Sequence, residues 1–195
     1  MDRPVVILFA RAPRLGAVKR RLAKGIGDRA ALRFYQRTLA ATARPIARDR
    51  RWRTVLATTP RGARTDWARF VPRGTALMDQ PRGDLGARME GCMRRHTRAV
   101  LVGSDIPDLR PADIADAIRA LGRADAVFGP ATDGGYWLVG LGPRRPARPF
   151  ARVRWSGEHA LADTMANFRG WRVALLRRLQ DVDTAEDLAR SKARS

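Results

Sequence analysis

The sequence predicts an α/β fold in which a mostly parallel central sheet is covered by helices on both faces. Three observations carry that expectation. Short β-branched and aromatic runs alternate along the chain with amphipathic segments of helical period. The first run, PVVILFA at residues 4–10, is apolar without alternation, as in a strand buried on both sides. The chain has 195 residues, is 45% hydrophobic and lacks internal repeats, so residues 1–195 read as one domain with a sizeable core.

Residues 11–22, RAPRLGAVKRRL, make a basic loop after the first strand. Pro13 and Gly16 turn the chain, and Arg11, Arg14, Lys19, Arg20 and Arg21 surround the turn with charge. Glycine that permits close backbone approach beside cations suits a phosphate, although GxxxxGK[ST] is absent and a solvated charge run has the same pattern. Asp28 then caps a helix predicted over residues 28–43, with Leu32, Tyr35, Leu39 and Thr42 on one face and Pro45 ending it. A strand over 52–58, a loop with Pro60 and Gly62, a helical piece over 66–70 and a strand over 76–78 follow.

In QPRGDLGARM, residues 80–89, Gly83 and Gly86 permit tight geometry ahead of another amphipathic helix carrying Leu85, Met89 and Met93. Asp84 either caps that helix or points into a ligand cleft. Cys92 reads as an ordinary helix residue and His96 as a helix-end residue. Next comes AVLVGSDIPDLRP, residues 99–111, an apolar run that ends in Gly103 and delivers Ser104 and Asp105 into a turn. Ligands gather at the carboxyl ends of strands in open α/β sheets, where an aspartate can hold a divalent cation against phosphates. Asp108 belongs to the turn before a helix that Pro111 opens.

A strand over 126–128 leads to Asp133, Gly134 and Gly135, and a strand resumes over 136–139. The glycine pair fits either a hairpin or a loop that offers one carboxylate and a run of amides. Residues 142–150, rich in Pro and Arg, form an exposed connection. Over 154–168 Ser156 is expected to cap a helix carrying Leu161, Met165 and Phe168, with His159 in its solvated first turn. The last strand spans 171–176. Asp181 and Asp183 then either begin a capping pattern with Glu186 or, at i and i+2, share one metal.

The formal charge of +20 invites nucleic acid, but its distribution argues otherwise. All but three of the 39 basic residues, Lys19, Lys24 and Lys192, are arginine, and they are spread through nearly every segment. No zinc-finger spacing, aromatic RNA-recognition motif or recognition-helix pair is present. A solvated basic surface that attracts anionic substrates is expected instead. No apolar run reaches the roughly 20 residues of a membrane span, and residues 5–10 are too short for a signal-peptide core. A cytoplasmic protein is expected, and the single cysteine agrees with a reducing compartment.

Taken together, ARAPRLGAVKRRLAKGIG, GDLGARM, LVGSDIPDL, FGPATDGGYWLVGL, RWS and DVDTAEDL resemble the successive motifs of a bacterial glycosyltransferase-like family, some members of which are associated with arsenosugar biosynthesis. That family is placed in the nucleotide-diphospho-sugar transferase superfamily of GT-A fold, and the resemblance runs from Val5 to Leu188. The basic loop, Asp105 and the late acidic pair are also similar to 2-phospholactate guanylyltransferases. The resemblance implies one Rossmann-like GT-A domain in which a divalent cation, Mg²⁺ with Mn²⁺ as the alternative, holds a nucleotide. It makes Asp105, Asp181 and Asp183 metal-ligand candidates and Lys19 a phosphate contact, and sets Gly134 and Gly135 near the acceptor or nucleotide pocket. Three departures stand out: Arg20 where the family has Thr, Gly157 where it has Thr after Trp155 and Ser156, and Asp105 outside any DxD.

The expected activity is glycosyl transfer from a nucleotide-diphospho-sugar to a small acceptor. Its rival is nucleotidyl transfer from a nucleoside triphosphate to a phosphorylated small molecule, with pyrophosphate released. A non-catalytic polyanion- or RNA-binding protein is the third reading. The catalytic candidates are Asp105, Lys19 and Asp133, and the phosphate- or nucleotide-binding candidates are Arg11, Arg14, Gly16, Lys19, Arg21, Asp84, Ser104, Gly134 and Gly135. No membrane insertion, no nucleic-acid partner and no particular oligomeric state is implied.

Overall fold

A computed structural model describes residues 3–63 and 65–192. Seven strands form one sheet: β1 (Val5–Arg11), β2 (Arg53–Thr59), β3 (Ala76–Asp79), β4 (Ala99–Gly103), β5 (Ala126–Pro130), β6 (Tyr136–Leu141) and β7 (Val173–Leu175). Their spatial order is β3-β2-β1-β4-β6-β5-β7. All neighbours are parallel except at β6, which runs antiparallel to both β4 and β5. The chain winds outward from β1 to β3 and then returns to lay β4 on the other side of β1. The loops after β1 and β4 therefore diverge, which opens a crevice at the carboxyl ends of these two central strands.

The β1 run explains the two covering layers. Val6, Leu8 and Ala10 face one way, against Tyr35, Leu39, Ala43 and Ile46 of α2 (Asp28–Arg48) and Ile114 and Ala117 of α4 (Pro111–Ala120). Val5 and Ile7 face the other way, toward Met89, Cys92 and Met93 of α3 (Leu85–Met93) and Phe128 and Phe168. Alternate residues of a strand point to opposite faces, so an unbroken apolar run packs on both. Cys92 is buried in α3, as an ordinary helix residue. Short helices α1 (Arg20–Ile26) and α6 (Ala185–Lys192) cover Leu22, Phe34 and Val182 at the crevice end.

Several helix ends differ from expectation. Asp28 does not cap α2: Gly27 holds the N-cap position with no side-chain cap bond, and Asp28 is the first helical residue, where its charge suits the free amides of the first turn. Helix α2 runs through Pro45 to Arg48. Ile46 is fully buried, and its carbonyl accepts the Trp52 indole N–H (2.9 Å) and the Thr54 hydroxyl (3.3 Å), so the last turn is held from outside the helix. Ser156 does not cap a helix. It sits in a left-handed turn (φ 67°), and α5 (Ala160–Ala166) starts only after His159. At α6 the cap is Thr184, not Asp183: Asp187 accepts the Thr184 N–H (2.9 Å), while the Thr184 hydroxyl accepts the Asp187 N–H (3.2 Å). This reciprocal capping box leaves the Asp183 carboxylate for other partners. Pro111 does open α4.

Candidate active site

The loop after β1 starts from a fixed point. Tyr35, buried in α2, donates its hydroxyl to the Arg11 carbonyl (2.8 Å) and accepts the Arg11 N–H (3.0 Å). The buried Ser104, just past β4, lies beside the same hydroxyl, so Tyr35 packs where the two central strands end. The loop turns at Gly16, whose φ of 70° lies in the region glycine tolerates best. It re-enters the structure at the buried Val18. Lys19 follows in a left-handed conformation, φ 47°, as the N-cap of α1.

That backbone geometry carries the Lys19 side chain inward, where only 4% of it is exposed. Its Nζ lies 2.7 Å from Asp105 Oδ2 and 2.8 Å from Asp183 Oδ1, and Asp183 Oδ2 also accepts from Arg21 (2.5 Å). Burial alone would lower the Lys19 pKa, but the two carboxylates outweigh it and hold the ammonium well above its ordinary value. Burial likewise pushes Asp183 up, and Lys19 with Arg21 reverses that, leaving it below the usual carboxylate range. Val182 is buried against Leu22 and Phe34, while Asp181 and Asp183 on either side of it line one cleft together. Burial, then the charges of Asp183, Asp133 and Asp105, push Asp181 up to about 6.

Two carboxylate oxygens thus converge on one positive charge at the crevice. Asp donors without nearby His or Cys suit a hard cation such as Mg²⁺ or Mn²⁺. Asp105 and Asp183 fit such an ion, in the seat that the ammonium takes. The expected Asp105–Asp181–Asp183 cage is not assembled: among the described residues no three His, Cys, Asp or Glu gather to hold a metal by themselves. A cation held by the Asp105–Asp183 pair would need further ligands from outside these side chains.

A cleft of about 590 Å³ lies over this pair, lined by Arg11, Lys19, Arg20, Arg21, Tyr35, Gln80, Arg88, Ser104, Asp105 and Asp183. Arg14 and Gly16 are not among its lining residues and lie on the exposed part of the loop. Asp84 is not among them either: it caps α3 by accepting the Ala87 N–H (2.8 Å), so the capping reading holds. Asp133 accepts the Gly135 N–H (2.9 Å) within the β5–β6 connection and borders an adjoining cleft with Asp181 and Asp183. Gly134 is needed for packing rather than for ligand room. A Cβ there would fall 2.2 Å from the Glu158 carbonyl oxygen, and the Gly134 carbonyl accepts the Leu161 N–H (3.0 Å).

Sequence reasoning missed Gln80 and Arg88. Gln80 is buried and donates to the Ala10 (3.2 Å) and Ala57 (2.9 Å) carbonyls, bridging the ends of β1 and β2. Its side-chain oxygen accepts from Arg88, which has no carboxylate partner among the described residues. Burial and the nearby Arg11 charge push the Arg88 guanidinium below its ordinary value, the condition of a cation short of counter-charge in a cleft. The available signal was a polar residue directly after a strand, eight positions before an arginine on the same side of the crevice.

Comparison with known proteins extends this picture. The model of a family described as "Uncharacterized protein conserved in bacteria (DUF2064)" matches residues 42–157. No curated protein matches the chain. Among solved structures, a proposed nucleotide-diphospho-sugar transferase from Desulfovibrio desulfuricans is 30% identical, with a TM-score of 0.87 over 96% of this chain and 85% of that one. The Rv0371C protein of Mycobacterium tuberculosis, in complex with manganese, shares the fold at 18% identity, a TM-score of 0.51 and 97% coverage of both chains. So does the 2-C-methyl-D-erythritol 4-phosphate cytidylyltransferase of Thermus thermophilus, at 16% identity and a TM-score of 0.51 over 99% of this chain and 98% of that one.

Proposed function

We propose, from the premise that this chain belongs to the DUF2064 family of bacterial proteins, that it is a divalent-metal-dependent transferase acting on a nucleotide-activated donor, and that it moves a glycosyl group from a nucleotide-diphospho-sugar to a small acceptor. The observation that carries the reading is the seat between Asp105 and Asp183. It is a point of converging carboxylates already holding a cation, at the crevice between β1 and β4, beneath a cleft rimmed by Arg11, Arg20, Arg21 and Arg88. The 30% identity to a proposed nucleotide-diphospho-sugar transferase supports the glycosyl form.

Each residue then has a task. Asp105 and Asp183 hold Mg²⁺, or Mn²⁺ in its place. The ion supplies charge stabilisation for a leaving diphosphate, worth most in the transition state. Lys19, with Arg11, Arg21 and Arg88, neutralises the phosphates and orients them. Tyr35 and Gln80 fix the backbone from which these cations project. Asp133, exposed at the edge of the crevice, is positioned to receive a proton from the acceptor.

Nucleotidyl transfer is the second reading, favoured by the basic loop directly after β1 and by the shared fold of a cytidylyltransferase. Incubating the protein and Mg²⁺ or Mn²⁺ with nucleotide sugars and nucleoside triphosphates separates the two. Metal-dependent release of nucleoside diphosphate is expected. Release of pyrophosphate in its place would establish the rival, and neither product across varied acceptors would overturn both.

A further inference from the structure

A cation-free cleft is the feature least expected of a chain with a formal charge of +20. One such cleft, of about 400 Å³, adjoins the basic cleft and shares Phe9, Leu85, Asp105 and Ser156 with it. Its charged lining residues are Asp105, Asp133 and Asp181, and neither lysine nor arginine is among the described residues that line it. Met89, Tyr136 and Trp155 form apolar and aromatic wall. Trp155 fits there because residue 86 is glycine, where a Cβ would press to 2.8 Å on the indole ring. The Trp155 Nε1–H is shielded from solvent and has no hydrogen-bond partner. Buried donors are nearly always paired, so an indole N–H without a partner is an unusual feature of this wall.

We infer that this cleft receives the acceptor, and that the acceptor is an uncharged alcohol with a ring-shaped or apolar body. The inference rests on the glycosyl-donor reading above. A phosphate or carboxylate entering the cleft would lose water beside Asp105, Asp133 and Asp181 with no basic residue in the cleft's own lining to receive it, whereas a neutral ring gains contact with Tyr136 and Trp155. In the transfer, the acceptor hydroxyl oxygen bonds to the anomeric carbon as the bond from that carbon to the diphosphate breaks. The electron pair leaves with the diphosphate, and the hydroxyl proton passes to the Asp133 carboxylate. The phosphates stay over the arginines, so the two substrates are sorted by charge on either side of Asp105.

The test reads binding without donor. Protein labelled with ¹⁵N at tryptophan, with Mg²⁺ present, is titrated with phenyl β-glucoside or with its 6-phosphate. The Trp155 indole resonance is assigned by its loss in Trp155→Phe. The neutral glucoside is expected to move that resonance with a dissociation constant at least about tenfold below that of the phosphate. Leu85→Arg, on the shared rim, is expected to narrow or reverse the preference. Equal or tighter binding of the phosphate at this indole, or no response to the neutral glucoside, overturns the inference. This titration holds no donor and is independent of the release assay described above: nucleoside diphosphate release in that assay with the wrong charge preference in this titration sinks the inference alone, and the right preference here without release there sinks the donor reading alone.

Discussion

Lys19 joins two costs that make sense only together. A residue with a Cβ in the left-handed region costs roughly 1 kcal/mol or more, and a buried ammonium needs charge partners. Both are offset by the charge-assisted bonds to Asp105 and Asp183. Removing the ammonium would leave two carboxylates, each about a third exposed (35% and 32%), repelling across the seat. Lys19→Met is therefore expected to lose about 1–2 kcal/mol of stability, solvent screening keeping the figure below that of a fully buried pair. Mn²⁺ should restore more stability to the variant than it adds to the parent, since the ion takes the vacated seat. Thermal melts with and without Mn²⁺ check this, and a variant indifferent to the ion would contradict the shared seat. At this scale the sequence told only part of the site. Lys19, Asp105 and Asp183 were legible as candidates from residue type and loop position, but Lys19 and Asp183 stand 164 residues apart and their pairing follows from the sheet order. Arg88 and Trp155 were not legible as site residues, because what marks them, a guanidinium without a carboxylate and an indole N–H without an acceptor, exists only in three dimensions.

Turns and caps decide where the elements deliver these side chains. The strands showed in the sequence as apolar runs, and Pro111 marked the start of α4 because proline there gives up only an N–H with no intrahelical acceptor. Local signals failed where tertiary partners intervene, as in the Ile46 carbonyl bonds that carry α2 past Pro45 and the Asp187 side chain that gives the α6 cap to Thr184. The glycine pair was legible as a turn, but the reason for Gly134 lies 24 residues away, in the Glu158 backbone. Gly134→Ala sets a Cβ 2.2 Å from that carbonyl oxygen at φ 84°, and since the neighbour is backbone it cannot rotate aside. A loss of about 2 kcal/mol or more is expected in urea unfolding. Gly16→Ala has the same left-handed penalty, φ 70°, with no atom within 4 Å of the added carbon, and should lose about 1 kcal/mol. Equal losses for the two would refute the packing role assigned to Gly134.

Across the whole molecule, strand order turns a scattered set of loops into one crevice: β1 and β4 are neighbours whose following loops part, and the chain's last loop, carrying Asp181 and Asp183, crosses above them. The fold class was legible from alternating element types, whereas the antiparallel β6 between β4 and β5 was not, since an apolar run carries no direction. The arginine bias also takes on meaning only at this scale. A surface of formal charge +20 attracts every anion, and the cation-free cleft beside Asp105 is what makes the attraction selective. Association of a nucleotide should then be steered by the field of the whole protein, and association of a neutral alcohol should not. Stopped-flow binding of a fluorescent nucleoside diphosphate is expected to slow about tenfold as salt rises from roughly 0.02 to 0.2 M, over which the screening length falls from roughly 20 Å to roughly 7 Å. Phenyl β-glucoside binding followed over the same range should hold constant within about twofold. Equal salt dependence for both ligands would mean that the bulk charge governs both clefts, and the division of labour at Asp105 would fail.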